Sequence, residues 1–262
     1  MKKIDMKKIY LLFSVLFSLL AAIFSYQVSG AENSTITFPS MDGLEVTAHT
    51  YITHDDKNAP VIILFHQAGW SRGEYLEIAP KLNKLGFNCI AIDQRSGETV
   101  NGIDNETAFR ASKSEKLTRY IDALPDIEAA LRYTRSQFSE SKIIAWGSSY
   151  SAALVLQLAG SQPDLVDGVL SFSPGEYFAK QGKSKSWIKD SAMHINVPVF
   201  ITSARNEQNS WSAIYTAIKS KQKFSFVPDT KGNHGSRALW DQFEDSGQYW
   251  EAVSEFLTNN FL

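Results

Sequence analysis

Residues 142–154 read KIIAWGSSYSAAL, and this stretch indicates more about the chain than any other. The β-prone residues 143–146 lead into Gly147-Ser-Ser-Tyr-Ser151, and the helix-compatible run 152–159 follows. A strand, a sharp turn and a helix form the context in which the serine of a G-x-S-x-G motif becomes a nucleophile. Ser149 lies two residues after the glycine and is therefore the first candidate for a catalytic residue.

The motif departs from the consensus at its last position. Ser151 stands where a second glycine is usual, and serine is small enough to let the helix pack closely against the strand. Ser148 has the wrong spacing from Gly147 to be the nucleophile. The alternative interpretation is a serine-rich loop in which Ser148 or Ser149 caps the following helix.

Length, composition and charge limit the classes of protein that the chain can represent. Its 262 residues, 44% of them hydrophobic and 21% charged, can bury the core of one substantial domain. A net charge of −2 with well-mixed signs argues against a nucleic-acid partner. The sequence has no glycine-rich phosphate loop and no HExxH-like ligand spacing, so we expect neither a metal nor an organic cofactor.

The first 30 residues have the layout of a secretory signal peptide. Four lysines lie within residues 2–8, an apolar run covers residues 9–24, and small residues occupy positions 29–31. We therefore expect residues 1–30 to be a signal peptide and residues 31–262 to be a single domain, secreted or periplasmic. An uncleaved membrane anchor is the alternative, because the apolar run approaches the length that spans a bilayer. Membrane contact is expected only in that case.

The remainder alternates strand-like and helix-like segments, which predicts an α/β protein with a mainly parallel, twisted sheet covered by helices on both faces. Residues 34–38 and 44–51 flank a turn at Asp42-Gly43 and predict an antiparallel N-terminal hairpin. Further strands are expected at residues 61–65, 87–92, 143–146, 165–172, 198–202 and 223–227. Helices are expected at residues 75–85, 115–138, 152–159, 210–219 and 248–259, with irregular segments at 96–114 and 174–196.

A serine nucleophile requires a base and an acid that orients the base. These groups gather after the carboxyl ends of parallel strands, in the chain order serine, acid, histidine. Among five histidines only His234 follows the last predicted strand, in a loop flanked by glycines. Glu207 is the only carboxylate directly after the strand at residues 198–202 and is the predicted acid. Asp229 is a weaker alternative, because it precedes the histidine within the same loop.

The oxyanion of the reaction intermediate requires two backbone N–H donors. One is expected from Tyr150, the residue after the nucleophile, and the other from the loop that follows the strand at residues 61–65. Ala68 is the predicted second donor, with Gln67 as the alternative. His66 begins this loop, and we expect it to organise the loop through hydrogen bonds rather than to transfer protons.

On these residues the chain resembles the α/β-hydrolase superfamily, and within it the small dienelactone-hydrolase-like and serine esterase-like members. The resemblance covers nearly all of residues 31–262. It rests on HQAG at residues 66–69, DQRSG at 93–97, GSSYS at 147–151, Glu207, and GNHG at 232–235. The chain departs from the family pattern at Gln67 and Ser151, where glycine is usual, and at Glu207, where aspartate is more frequent. Ser149 also departs from dienelactone hydrolases proper, which use a cysteine.

The resemblance implies a hydrolase that cleaves small carboxylic esters through a serine-linked acyl-enzyme. Trp70, Tyr177 and Trp187 lie in loops near the expected site and are predicted to contact the substrate, unless they only cover the core. A peptidase or amidase would use the same three catalytic residues. A non-catalytic binding protein on the same scaffold is a further alternative, because a fold does not fix a function. The sequence leaves the oligomeric state open.

Overall fold

Eight β-strands form one sheet in the part of the chain that the computed structural model describes, residues 34–262. They are β1 Ser34–Pro39, β2 Glu45–Tyr51, β3 Val61–Phe65, β4 Asn88–Ile92, β5 Ile143–Ser148, β6 Gly168–Phe172, β7 Val199–Thr202 and β8 Lys223–Phe226. Their spatial order is β1-β2-β4-β3-β5-β6-β7-β8. The predicted signal peptide lies outside the described residues.

The strand directions confirm the predicted architecture. β1 and β2 form the antiparallel N-terminal hairpin, and β2 also runs antiparallel to β4. All the other neighbouring strands are parallel. The carboxyl ends of β3 to β8 therefore meet at one edge of the sheet, where sites form in open α/β folds.

Helices cover both faces of the sheet, as expected. They are α1 Ile78–Lys84, α2 Glu106–Lys113, α3 Leu124–Gln137, α4 Tyr150–Ser161, α5 Trp187–Ala192, α6 Gln208–Ala217 and α7 Ser246–Phe261. Short 3-10 turns lie at Arg72–Tyr75, Tyr120–Ala123, Pro163–Leu165, Ala179–Gln181, Arg205–Glu207 and Ser236–Leu239. Helices α3 to α6 pack in one apolar cluster, and α1 and α7 pack in the other. No helix within residues 34–262 is long and apolar enough to cross a membrane.

Strand β3 shows why an unbroken apolar run is needed at the centre. Ile63 and Phe65 belong to the cluster beneath α3 to α6, whereas Ile62 and Leu64 belong to the cluster beneath α1 and α7. All four side chains are fully buried. Each contributes about 1.5–3 kcal/mol on burial. A strand covered on both faces therefore loses the polar alternation of an exposed sheet.

The structure corrects the predicted helix boundaries after β4. Residues 106–113, expected to be irregular, form α2, and α3 begins at Leu124 rather than at residue 115. The Asn105 side chain caps α2 by accepting a hydrogen bond from the Ala108 N–H, and only Thr107 and Ala111 of this helix are buried. The buried side of this eight-residue helix is formed by a threonine and an alanine rather than by large apolar residues, so its sequence resembles that of a polar loop. Pro125 lies in the first turn of α3, where its missing N–H costs nothing.

Buried ion pairs hold the loop after β4 against its neighbours. The Arg95 guanidinium lies 2.6 Å from Asp126, which is fully buried, and 2.8 Å from Asp42. The hydrogen bond from Arg95 lowers the pKa of Asp42 well below its usual range. Arg72 pairs in the same way with buried Asp93. These contacts fix the start of the segment that leads to α2.

Replacing Arg95 by methionine should lower the free energy of unfolding by about 3–5 kcal/mol, because Asp126 would remain buried without a cation. Urea denaturation followed by circular dichroism measures this loss. Arg132→Met is the matched control, because Arg132 forms an exposed pair with Glu128 and should lose at most about 1 kcal/mol. Equal midpoints for the two variants would contradict a structural role for the buried pair.

Candidate active site

A sharp turn between β5 and α4 carries Ser149. The residue has φ 60° and ψ −118°, a conformation that non-glycine residues rarely adopt. Its N–H donates to the carbonyl of Phe172 at 2.7 Å, which ties the turn to the end of β6. The strained turn lifts the Ser149 side chain above the sheet edge at the N-terminus of α4, as in a nucleophile elbow.

The close approach of α4 to β5 explains the residues around the turn. A Cβ atom on Gly147 would lie 2.5 Å from the backbone nitrogen of Ala152, so only glycine fits there. Ser151 fits at the position where glycine is usual, and its hydroxyl donates to the carbonyl of His66 at 2.6 Å. The Gln94 amide donates in turn to the Ser151 hydroxyl at 2.5 Å. Serine therefore links the helix to the loops after β3 and β4.

The structure brings the three predicted catalytic side chains together in one hydrogen-bonded chain. His234 Nε2 lies 2.8 Å from Ser149 Oγ, and His234 Nδ1 lies 2.6 Å from Glu207 Oε1. Glu207 follows β7 and His234 follows β8, so both come from the same sheet edge as Ser149. The weaker acid candidate, Asp229, has a fully exposed side chain that pairs with Arg205.

Ser173 is a member of this cluster that sequence reasoning missed. Its hydroxyl donates to Glu207 Oε2 at 2.7 Å and accepts the Gly235 N–H at 2.9 Å. Burial opposes ionisation of Glu207, but hydrogen bonds from His234 and Ser173 outweigh it and lower the pKa of the carboxyl. Glu207 is therefore ionised and can orient the imidazole. The sequence did offer one signal for Ser173, because this residue directly follows β6 at the sheet edge that the other site residues share.

The two backbone N–H groups predicted to bind the oxyanion follow the ends of β5 and β3, and their role stays a prediction. Tyr150 is the first residue of α4, and Ala68 follows β3. Within residues 34–262 neither N–H donates to a protein acceptor. The alternative donor is excluded by geometry, because the Gln67 N–H already donates to Glu74 Oε2 at 2.8 Å.

His66 holds the loop after β3, in line with the sequence-based expectation. Its Nδ1 lies 2.8 Å from the carbonyl of Gln67, and its Nε2 accepts the Gln94 N–H at 3.1 Å. These bonds place the ring proton on Nδ1. Burial lowers the pKa of His66 to about 4, so the ring is neutral at physiological pH.

The predicted substrate-contacting aromatics lie in different surroundings, and their role stays a prediction. The Tyr177 hydroxyl donates to the carbonyl of Ser173 at 2.6 Å, beside the Glu207 contact. Trp70 stacks on Trp240 with ring centroids 5.2 Å apart. Trp187 packs edge-on against buried Phe178 at 5.3 Å. Among the residues that the structure describes, no group of three or more acidic, histidine or cysteine side chains could hold a metal ion.

Solved structures of hydrolases share this fold. An esterase from Pyrococcus furiosus, Pf2001, superimposes with a TM-score of 0.66 at 19% identity, covering 87% of this chain and 92% of that one. The dienelactone hydrolase from Anabaena variabilis gives 0.67 at 13% identity, with 88% and 99% covered. Est1E from Butyrivibrio proteoclasticus, solved with ferulic acid bound, gives 0.63 at 16% identity, with 86% and 98% covered.

The comparison of sequences identifies the family directly. No curated protein matches the sequence. The sequence model of the family described as serine aminopeptidase, S33, matches residues 56–210, which include β3, the elbow at Ser149 and Glu207. The resemblance drawn from the motifs is thereby confirmed. The chain belongs to this S33 family of α/β-hydrolases.

Proposed function

We propose that this protein is a serine hydrolase of small carboxylic esters, with Ser149, His234 and Glu207 as its catalytic triad. The observation that carries the proposal is the hydrogen-bonded chain from Ser149 Oγ through the imidazole to Glu207. It begins at a strained turn that leads into a helix N-terminus, where negative charge is favoured. Membership of an α/β-hydrolase family supports the same chemistry.

The reaction follows from the position of each proton. Ser149 Oγ attacks the ester carbonyl carbon while His234 Nε2 accepts the hydroxyl proton, and Glu207 stabilises the imidazolium through Nδ1–H. The N–H groups of Tyr150 and Ala68 bind the negative oxygen of the tetrahedral intermediate. The imidazolium then protonates the leaving alcohol, which leaves the acyl group on Ser149. Water releases the acid by the same steps, with His234 again as base.

The solved relatives favour small esters as the substrate class. They are esterases and a dienelactone hydrolase, and one of them holds ferulic acid, an aromatic carboxylic acid. Trp70, Tyr177 and Trp187 would provide apolar contacts for such an acid. The non-catalytic alternative would leave the histidine or the acid turned away from Ser149, and the observed hydrogen bonds count against it.

Replacing Ser149 by alanine should abolish labelling by a fluorophosphonate probe and lower kcat for p-nitrophenyl acetate by roughly 10³-fold or more. The physical reason is the loss of the hydroxyl that His234 deprotonates to form the acyl-enzyme. Ser161→Ala, at the exposed end of the same helix, is the matched control and should label like the wild type. A folded wild type that does not label would contradict the proposed function.

Amide cleavage is the alternative activity, because the family is that of a serine aminopeptidase. A matched pair of substrates with one acyl group, a p-nitrophenyl ester and a p-nitroanilide, separates the two activities. Hydrolysis of the ester alone, in proportion to labelled Ser149, supports the esterase. Hydrolysis of aminoacyl p-nitroanilides with a kcat/KM comparable to that for the p-nitrophenyl ester would favour the peptidase.

Replacing Ser173 by alanine should lower kcat/KM by roughly 10- to 100-fold, because Glu207 loses a hydrogen bond to a charged group. The pKa of Glu207 should rise, since that bond favours the ionised form. The loss should therefore grow as the pH falls. Ser171→Ala is the matched control. It removes a hydroxyl of β6 that donates, within residues 34–262, to the Ala152 carbonyl, and this variant should keep its activity within about twofold of wild type.

We further propose that the protein is exported and that residues 1–30 are removed. Expression of the full chain in a bacterium should give a product in the exported fraction whose N-terminus, determined by mass spectrometry, is Ala31 or Glu32. An intact N-terminus recovered with the membranes would instead favour the uncleaved anchor. Release of the mature protein into the soluble fraction is the accompanying check.

A further inference from the structure

A buried carboxylate that the mechanism does not use lies behind the proposed triad. Glu74 is fully buried in the 3-10 turn that precedes α1. Its Oε1 accepts the Ser148 hydroxyl at 2.7 Å, and its Oε2 accepts the Gln67 N–H at 2.8 Å. The Ser148 hydroxyl in turn accepts the Ser236 N–H at 2.8 Å.

Each of these partners adjoins a group with a role in the proposed reaction. Gln67 precedes the oxyanion donor Ala68, Ser148 precedes the nucleophile, and Ser236 lies two residues after His234. The three loops come from sequence positions up to 169 residues apart, and this carboxylate and one hydroxyl connect them.

The packing around this group leaves it little freedom. A Cβ atom on Gly235 would lie 2.5 Å from both Gln67 Oε1 and Ser148 Oγ, so the histidine loop lies directly against the other two. The Trp240 indole donates to the backbone carbonyl of Glu74 at 3.0 Å. A second indole, from Trp146, donates to the Ser236 hydroxyl at 2.8 Å. Rigid aromatic donors therefore fix both ends of the connection.

We propose that Glu74 is a positioning residue whose carboxylate holds the oxyanion loop, the nucleophile elbow and the histidine loop in the geometry that the reaction requires. The inference rests on the proposed ester hydrolysis. A carboxylate suits this task because both of its oxygens only accept hydrogen bonds, and one donor approaches each. A side chain needed only for packing would be apolar here, since removing a charge from water costs free energy of folding.

The charge state of Glu74 gives the role a measurable signature. Burial raises the pKa of Glu74 to about 7, and the hydrogen bonds from Ser148 and Gln67 partly oppose this. Arg237, on the turn after His234, is the cation that faces it, and Tyr75 is the adjacent titratable side chain. Protonation would convert Oε1 or Oε2 from an acceptor into a donor, so the full set of hydrogen bonds belongs to the ionised form.

Glu74→Gln imitates the protonated carboxyl at every pH and is the variant of choice. With p-nitrophenyl acetate we expect kcat to fall roughly 10- to 100-fold while KM changes by less than about threefold, because loop geometry rather than ester binding is affected. The ratio of wild-type to variant kcat should rise between about pH 6 and pH 8, as the wild-type carboxyl ionises. The ratio cancels the pH dependence that both proteins share.

Stability separates positioning from a merely structural role. The folded-state pKa of Glu74 lies above the usual carboxyl value, so ionisation destabilises the fold as the pH rises towards 7 and this cost persists above it. The neutral glutamine avoids the cost, and the Tm of the variant at about pH 8 should be no lower than that of wild type. Glu77→Gln, an exposed neighbour that accepts the Asp241 N–H, is the matched control for activity and Tm.

A double-mutant cycle tests the connection through Ser148. If Glu74 acts through this hydroxyl, Glu74→Gln combined with Ser148→Ala should lose little more kcat than the worse single variant. Multiplicative losses would overturn the connection. Wild-type kcat in Glu74→Gln, or a loss that accompanies a lower Tm and disappears on cooling, would overturn the positioning role.

Hydrogen exchange measured by mass spectrometry keeps the inference separate from the proposed function. Glu74→Gln should speed exchange in residues 66–70 and 234–239 and leave the helix 150–161 unchanged, whether or not any ester is cleaved. A wild type that fails to react with fluorophosphonate would refute the esterase, and this exchange pattern would still test the loop connection. Unchanged exchange in both loops would refute the role of Glu74.

Discussion

The positive-φ backbone of Ser149 is the constraint on which the site depends. The turn places α4 so close to β5 that Gly147 admits no side chain. The N–H of Ser149 donates to the carbonyl of Phe172 at the end of β6. A relaxed turn would lower the serine towards the sheet and carry the N–H of Tyr150 with it. The proposed nucleophile and one proposed oxyanion donor thus share a single strained conformation, which the packing of the surrounding strands must maintain.

Hydrogen bonds of two serines beside Ser149 stabilise the strained turn. Ser151 replaces the expected glycine and ties α4 to the loop after β3 through the His66 carbonyl. Ser148 joins the elbow to Glu74 and to the loop that carries His234. Of the departures from the family pattern, Ser151 therefore forms hydrogen bonds that glycine could not form.

The parts of the molecule that sequence could predict are those governed by local pattern. The unbroken apolar run at residues 61–65 indicated a strand covered on both faces, and the order of strand ends brought His234 and Glu207 to Ser149. The helix at residues 106–113 was not predicted, because an ion pair between Arg72 and Glu106, rather than a large apolar face, holds it in place. The roles of Ser173 and Glu74 were not predicted, because their side-chain partners lie as far as 74 residues away along the chain. No rule of sequence spacing connects these residues to their partners.

Two glutamates of the site show how environment, rather than residue type, assigns a task. Hydrogen bonds from His234 and Ser173 outweigh the burial of Glu207 and lower its pKa, so it stays charged next to the imidazole. Burial dominates at Glu74 and raises its pKa to about 7, so its charge is held at a cost to folding stability. A chain selected for stability alone would have replaced that carboxyl with an apolar or neutral group. Its presence between three loops with proposed catalytic roles is most simply understood as stability given up for their alignment.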